Sequence, residues 1–231
     1  MTPVVVPAAA DAWPALAEVE ARAFHDEFPY CAMFPDEGTR PERLLAWFRV
    51  AVPGAMSSGF LVETTAYRAL AMWSPPGRGD SWWTRLRALP RLVPQVWTLL
   101  RVTDRADRQR AFGWGRRIEQ RDRELMPDPH WSLDGLAVAP EHQRLGYGAV
   151  LVRHGLRRAD ADGLPTYLET NSGRNAEFYG KFGFDVIEHL AEDYPPMRIP
   201  TWRMMRPPHD PPETTQPPLR PGHPTMAQED R

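Results

Sequence analysis

Two different spacings of apolar residues divide the chain into helices and strands. A 3.6-residue period predicts helices from about Trp13 to Phe24, from Arg40 to Val52, and directly after Gly148. Pro53-Gly54 predicts the end of the second helix. The apolar face of the third helix steps by four, three, four and three residues through Leu145, Ala149, Val152, Leu156 and Ala159.

Short apolar or β-branched runs bounded by turn residues predict seven strands. They cover 4–6, 59–64, 67–73, 133–139, 166–170, 184–190 and 201–206. The helix between 133–139 and 166–170 predicts that these two strands pair in parallel. The last two strands are predicted to form an antiparallel hairpin. Alternation of strands and helices predicts an α/β fold.

The middle and the end of the chain have compositions of their own. Residues 81–126 combine arginine and tryptophan with helical apolar spacing, so we interpret about 77–130 as a helical insertion that walls a pocket. Residues 207–231 are dense in proline and nearly lack large apolar side chains, which predicts disorder. The expected organisation is one domain, 1–206, followed by a Pro-rich tail, 207–231.

Composition excludes several classes of function. A net charge of -2, with acidic residues interspersed among the arginines, argues against nucleic acid or an anionic membrane as partner. No run of about 20 apolar residues predicts a membrane span. Cys31 is the only cysteine, and no basic segment precedes the apolar N-terminal run, which together predict a cytoplasmic protein. No Cys/His cluster has the spacing of a metal site.

The strongest candidate for chemistry is the turn Gln143-Arg144-Leu145-Gly146-Tyr147-Gly148. Two glycines uncover the backbone N–H groups just where a helix begins, and the positive end of the helix dipole adds to them. That combination suits a pyrophosphate. Leu151 stands where the dinucleotide fingerprint needs a third glycine, and no Gly-Lys-Ser/Thr follows as in a P-loop. The alternative is a helix start whose glycines only pack closely.

This turn matches the Gln/Arg-x-x-Gly-x-Gly/Ala signature of the GCN5-related N-acetyltransferase (GNAT) superfamily. The residues from Leu168 to Thr170 and from Arg174 to Phe184 resemble the second half of that superfamily. Their spacing, together with Ala23-Phe24 and 71–76, is most similar to the puromycin N-acetyltransferase-like branch. The resemblance implies a mixed, largely antiparallel twisted sheet of about seven strands. The sheet is expected to split into a V at the cofactor cleft, with helices on both faces.

The resemblance also implies an activity. The expected enzyme is an acyltransferase that moves acetyl from acetyl-CoA to a primary amine of a small molecule, by direct transfer in a ternary complex and without a metal. A protein or peptide N-acetyltransferase and a non-catalytic acyl-CoA-binding sensor are the alternatives. A monomer or a homodimer is expected.

Roles for residues follow from the same resemblance. The implied cofactor-binding residues are Leu136, Ala137, Val138, Gln143, Arg144, Leu145, Gly146, Tyr147, Gly148, Ala149, Asn175 and Tyr179. Tyr179 corresponds to the general acid of the family, and a phenol can protonate a departing thiolate. Glu169 is our first candidate for the general base and Asp134 the second, and either carboxylate has a structural role as its alternative. The implied acceptor-binding residues are Asp26, Glu27, Phe28, Tyr30 and Trp73.

Overall fold

The computed structural model describes residues 3–77, 82–113, 116, 129–194 and 197–209. The helices are α1 (Trp13–Ala23), α2 (Phe28–Met33), α3 (Arg40–Ser57), α4 (Trp82–Val102), α5 (105–113), α6 (Tyr147–Asp162) and α7 (Gly173–Gly180). The strands are β1 (Val6–Pro7), β2 (Leu61–Thr64), β3 (Ala69–Ser74), β4 (Trp131–Val138), β5 (Thr166–Thr170), β6 (Asp185–Tyr194) and β7 (Met197–Arg206).

These strands form one sheet in the order β1-β2-β3-β4-β5-β7-β6. Every neighbouring pair is antiparallel except β4 and β5, which are parallel and are connected through α6. Parallel strands need such a crossover connection, because a short hairpin reverses the chain and so joins only antiparallel strands. The α/β fold with a mixed, largely antiparallel sheet of about seven strands is therefore confirmed.

The sheet opens between β4 and β5. Trp131–Leu133 pairs with Thr166–Leu168, and the rest of β4 pairs only with β3. Asp134 is the extra residue of a bulge in β4, since Met72 pairs with Gly135 while the next residue, Trp73, pairs with Leu133. A bulge bends its strand and locally ends regular pairing. The predicted V-split is confirmed at this point.

Helices cover both faces of the sheet. On one face, α1 and α3 bury Leu16, Leu44 and Phe48 in one hydrophobic core with Leu70 of β3. On the other face, α6 and α7 bury a second core, which includes Trp73, Trp131, Leu151, Val152, Leu156, Tyr179, Phe184 and Met204. Neighbouring residues of a strand point to opposite faces, so β3 contributes to both cores.

Two helices differ from the sequence prediction. No helix was predicted around Phe28-Pro29-Tyr30, yet 28–33 forms α2 with Pro29 in its first turn. Proline is tolerated there because the N–H groups of the first turn have no intrahelical partner. The expected stop at Pro53-Gly54 is also wrong, because α3 continues through Pro53 to Ser57. The Ser57 hydroxyl donates a 2.8 Å hydrogen bond to the carbonyl of Pro53.

Within the expected insertion, residues 82–102 and 105–113 are helical. Its α5 is held against α2 and β6: Arg110 Nε donates to the carbonyl of Met33 at 3.0 Å, and the Tyr194 hydroxyl donates to the carbonyl of Arg110. Residues 117–128 of the expected insertion and most of the predicted tail, 210–231, lie outside the described residues. None of the described helices is long and apolar enough to cross a membrane.

Candidate active site

The glycine turn lies at the open edge of the V. Gly146 precedes α6 with φ +88° and Arg144 has φ +63°, so the turn uses left-handed backbone twice. Gly146 has no side chain that could cap the helix, and the first N–H groups of α6 have no acceptor within the helix. These donors and the positive dipole end point out of the same turn, as the sequence predicted.

Gly148 faces the wall of the cleft. A Cβ at this position would lie 3.5 Å from Val138 Cγ2 and 3.6 Å from Leu136 Cδ2, both on β4, and 3.8 Å from Phe178 of α7. These are ordinary packing distances, so the fold itself does not forbid a side chain here. Because a side chain would fit at this position and glycine has none, space is left between α6 and β4. A ligand can approach the protein backbone closely in that space.

The turn is tied to β3 and β4 by side chains of the signature itself. Gln143 Nε2 donates a 3.3 Å hydrogen bond to the carbonyl of Val138 at the end of β4. Tyr147 accepts a 2.8 Å hydrogen bond from Arg68, which follows the β2–β3 turn. Arg68 therefore brings a second exposed guanidinium beside the turn, in addition to that of Arg144. Sequence reasoning did not single out Arg68, because it is distant in sequence from the motif.

Tyr179 is buried in α7, between Phe178 and Phe184, whose ring centroids lie 5.2 Å and 6.0 Å from its own. Burial raises its pKa above the usual value, and the charge of Glu27 raises it further. The phenol is thus held in its protonated form, the form from which a general acid acts. Asn175 lies one turn before Tyr179 on the same helix and is half-buried.

The two predicted base candidates have different environments. Glu169 accepts a 2.8 Å hydrogen bond from Arg203 Nε and a 2.6 Å hydrogen bond from the Tyr167 hydroxyl. Arg203 is 1% exposed and also pairs with Glu188 and Glu192. The Glu169 carboxylate is therefore engaged by Arg203 and Tyr167 in this structure. Asp134 is exposed at the bulge of β4.

The predicted acceptor side lies in and just before α2. Phe24, Tyr30 and Phe48 make one aromatic cluster, with centroid separations of 5.3 to 5.8 Å. Glu27 is half-buried and its pKa is raised, first by burial and then by the neighbouring charge of Asp26. Asp26 is exposed and pairs with His25 at 2.7 Å, and Phe28 is 47% exposed.

Trp73 does not belong to this side. It is fully buried on the opposite face of the sheet, where a Cβ on Gly155 of α6 would lie 2.1 Å from its indole ring. The prediction that Trp73 binds the acceptor is therefore wrong. Its place in the motif 71–76 reflects packing between β3 and α6.

Sequence reasoning also overlooked Glu20. This residue of α1 is fully buried, and neither carboxylate oxygen has a hydrogen-bond partner among the described residues. Burial raises its pKa to about 8. In the sequence, Glu20 only appears as one polar residue near the apolar face of an amphipathic helix, and nothing marks it as buried.

The Acetyltransferase (GNAT) family model matches residues 83–184. An uncharacterised N-acetyltransferase of Schizosaccharomyces pombe is 25% identical over 199 residues, which are 80% of this chain and 76% of that protein. A solved structure described as histone acetyltransferase HPA2 and related acetyltransferase, from Corynebacterium glutamicum, superposes with a TM-score of 0.60. It is 24% identical, and the match covers 92% of this chain and 99% of that one.

Arylalkylamine N-acetyltransferase 2 of Aedes aegypti has the same fold, with a TM-score of 0.51 and 9% identity over 90% of this chain and 99% of that chain. The family match, the curated relative and the shared fold together support an acyltransferase of GNAT type. Among the described residues, no group of three or more His, Cys, Asp and Glu side chains is arranged to hold a metal ion.

Proposed function

We propose that this chain, an acyltransferase of the GNAT superfamily, transfers acetyl from acetyl-CoA to a primary amine of a small molecule by direct transfer in a ternary complex. The observation that carries the proposal is the meeting of three features at one opening of the sheet. They are the glycine turn of α6, the backbone of β4 beyond its bulge, and α7, which carries the buried Tyr179 and whose Phe178 would lie 3.8 Å from a Cβ on Gly148.

The residues at the opening fit acetyl-CoA. The turn around Gly146 and the first N–H groups of α6 would hold the pyrophosphate, and Arg68 and Arg144 add positive charge beside it. The space that Gly148 leaves beside Val138 and Leu136 suits the thin chain that follows the pyrophosphate. Asn175 is placed one turn from Tyr179, where it can hydrogen-bond the same chain. When bound, the cofactor supplies the thioester.

Two groups of this chain act on the thioester in the proposal. Backbone N–H groups of β4, over 136–138, polarise its carbonyl, because preformed donors stabilise the charge that develops on oxygen. Tyr179 donates a proton to the departing sulfur. Its raised pKa keeps this proton on the phenol before the reaction, and the proton is transferred as negative charge develops on the departing sulfur.

The acceptor class follows from the chemistry around α2. Glu27 and Asp26 provide carboxylates for an ammonium, and the edge of the Phe24, Tyr30 and Phe48 cluster together with Phe28 provides apolar contact. The insertion helix α5 is fastened to α2 through Arg110, which favours a walled pocket over an open groove. A walled pocket suits a small amine better than a peptide. The similarity to the puromycin-like branch is part of the same proposal, without fixing puromycin as the substrate.

A thiol-release assay tests the proposal. The full chain is incubated with acetyl-CoA and a panel of small amines, polyamines and puromycin, and free CoA thiol is measured. Thiol release that depends on one amine supports the proposed activity. Release that appears only with peptide substrates would assign the chain to peptide acetylation, and absence of any release with bound acetyl-CoA would favour a binding role.

A further inference from the structure

An ion pair joins helix α1 to the segment that leads into the glycine turn. Arg22, in the last turn of α1, donates two hydrogen bonds to Glu141, from Nη1 to Oε1 at 3.1 Å and from Nη2 to Oε2 at 2.5 Å. The guanidinium and the carboxylate therefore form a bidentate pair, which fixes their relative orientation as well as their distance. The two residues are 119 positions apart, so the pair is a tertiary contact.

On one side, the pair leads to the proposed cofactor site. Glu141 is the middle residue of a short 3-10 turn that directly follows β4. Two backbone hydrogen bonds hold this turn, from the His142 N–H to the carbonyl of Ala139 at 2.8 Å and from the Gln143 N–H to the carbonyl of Pro140 at 3.3 Å. The glycine motif begins at Gln143. A restraint on the motif therefore also restrains the backbone that carries the Glu141 carboxylate.

On the other side, the pair leads to the proposed acceptor site. Arg22 is the second-last residue of α1, and Asp26 and Glu27 follow four and five positions later. Between them, Phe24 stacks on Tyr30 of α2, with ring centroids 5.3 Å apart. A short segment that is anchored on α2 thus connects Arg22 to both acceptor carboxylates.

The pair is a half-exposed contact between two charged groups. The side chains of Arg22 and Glu141 are 55% and 49% exposed. The pKa of Glu141 is lowered, first by its own backbone N–H and then by the hydrogen bond from Arg22, so the carboxylate is ionised at neutral pH. Exposed ion pairs add little to global stability unless their geometry is bidentate. The value of this pair therefore lies in the relative position of the two segments that it joins.

The guanidinium of Arg22 is engaged by Glu141 and not free for a phosphate. Both of its terminal nitrogens donate to the carboxylate, so Arg22 reaches an anion at the turn only by giving up the pair. Arg68, which contacts Tyr147, and Arg144, within the turn, bring positive charge there without such a cost. Arg22 is thus placed to act on the turn through Glu141.

We propose that Arg22 and Glu141 are a positioning pair that couples the two binding sites. When the glycine turn holds acetyl-CoA, Glu141 is restrained, and through Arg22 it restrains the acceptor segment, 24–27. The inference rests on the proposed function, which assigns the cofactor to the turn and the amine to this segment. A segment that one ligand has already restrained costs the second ligand less entropy to order. The coupling is reciprocal, so the amine also tightens binding at the turn.

Hydrogen exchange tests the coupling without knowledge of the amine. The N–H groups of Phe24, Glu27 and Tyr30 each donate to a backbone carbonyl at 2.9 to 3.2 Å, so their exchange reports opening of this region. The full chain is measured by mass spectrometry with and without CoA. In the wild type we expect CoA to slow exchange at 139–150, and at 24–30 by roughly two- to fivefold, the range that an exposed ion pair can supply.

Two single variants and a charge swap identify the pair as the connection. In Arg22→Met and in Glu141→Gln, the slowing at 139–150 should remain and the slowing at 24–30 should disappear. Arg22→Glu combined with Glu141→Arg restores an ion pair and should restore the slowing. If Arg22 bound the phosphate directly, Glu141→Gln would respond like the wild type and the swap would not recover the response, which would overturn the inference.

Another exposed pair of α1 provides the control. Arg49→Met breaks the 3.7 Å contact between Arg49 and Glu18 and should respond to CoA like the wild type. With the amine from the thiol-release panel, Arg22→Met should raise KM for the amine roughly two- to fivefold and leave kcat nearly unchanged. Bound CoA without slowing at 24–30 in the wild type, or slowing that persists in both single variants, would overturn the inference. A wild-type chain that binds no CoA in calorimetry would overturn the proposed function itself.

Discussion

Gly155 of α6 lies against the indole ring of Trp73 so closely that a Cβ at position 155 would be 2.1 Å from two of the ring carbons. This contact sets the distance of α6 from β3. Because the glycine turn begins α6, the same contact sets where the turn lies relative to β4. The packing of one glycine on one tryptophan therefore positions the proposed cofactor site.

The variant Gly155→Ala tests this contact. Trp73 is fully buried and cannot move aside, so the added methyl group forces α6 outward. Overpacking of this kind costs about 1–3 kcal/mol and sometimes more. We expect a clear fall in Tm by differential scanning calorimetry. Gly54→Ala, at a helical position where a Cβ would meet nothing within 4 Å, is the control and should keep or raise Tm. Equal Tm values for the two variants would refute the packing argument.

The variant Gly148→Glu tests the cofactor site. Its side chain would begin 3.5 Å from Val138 and would place a negative charge at the turn proposed to bind the pyrophosphate. We expect binding of acetyl-CoA to be lost in isothermal titration calorimetry while the circular dichroism spectrum stays the same. Gly54→Glu, far from the turn in α3, should bind acetyl-CoA like the wild type. Retained affinity in Gly148→Glu would place the cofactor elsewhere.

The variant Tyr179→Phe tests the general acid. The phenylalanine keeps the aromatic packing against Phe178 and Phe184 and removes only the hydroxyl. We expect kcat to fall by about 10²-fold with little change in the Kd of acetyl-CoA. Tyr67→Phe, at an exposed position, should change neither quantity. A normal kcat in Tyr179→Phe would exclude the phenol as the acid.

Stability should depend on pH through Glu20. The folded protein holds its proton up to about pH 8, whereas the unfolded chain releases it near the ordinary value of 4.5. The contribution of this group is therefore complete below pH 4.5 and is lost as the pH rises toward 8. A shift of this size corresponds to about 5 kcal/mol across that window.

Glu20→Gln removes this pH dependence, since an amide does not titrate. We expect its free energy of unfolding, measured with urea, to exceed that of the wild type at pH 8 and to approach it at pH 5. A Glu20→Gln protein that is less stable than wild type at pH 8 would contradict this account.

The variant Arg203→Met tests the ion-pair cluster of β5, β6 and β7. Arg203 is 1% exposed and holds Glu169, Glu188 and Glu192. Removing one partner of a buried ion pair costs roughly 3–5 kcal/mol, because charge is left uncompensated. Arg198→Met breaks the exposed pair with Asp193 and should cost less than about 1 kcal/mol. Urea unfolding of both variants checks the difference, and similar losses would show that the cluster adds no special stability.

Much of the fold follows from local pattern. The 3.6-residue period located α1 and α6, and a short apolar run bounded by turn residues located β5, each to within a residue or two. The pattern failed at α3, where the packing of Phe48 and Val52 extends a helix beyond Pro53. Tertiary contacts there outweigh a local stop signal.

The site was predictable only where a motif is contiguous. Gly146 and Gly148 are two positions apart in the sequence, so the motif alone predicts that both lie at the start of α6. By contrast, the partners of Glu169 come from Arg203 and Tyr167, and a pairing with a residue 34 positions away is not visible in a sequence. Trp73 was assigned to the acceptor side but is buried against α6, because the face of the sheet on which a strand residue lies depends on the strand register. Glu20 was missed for the same kind of reason, since its burial depends on Gly135.

The most direct test of the account is transfer of an isotopically labelled acetyl group. The full wild-type chain is incubated with acetyl-CoA labelled in its acetyl carbons and with the amine that gave thiol release. Mass spectrometry then follows the label. The account predicts labelled N-acetyl product, in equal amount to the free thiol, with Gly148→Glu forming none. Release of thiol with the label recovered as acetate, and none on the amine, would contradict acetyl transfer.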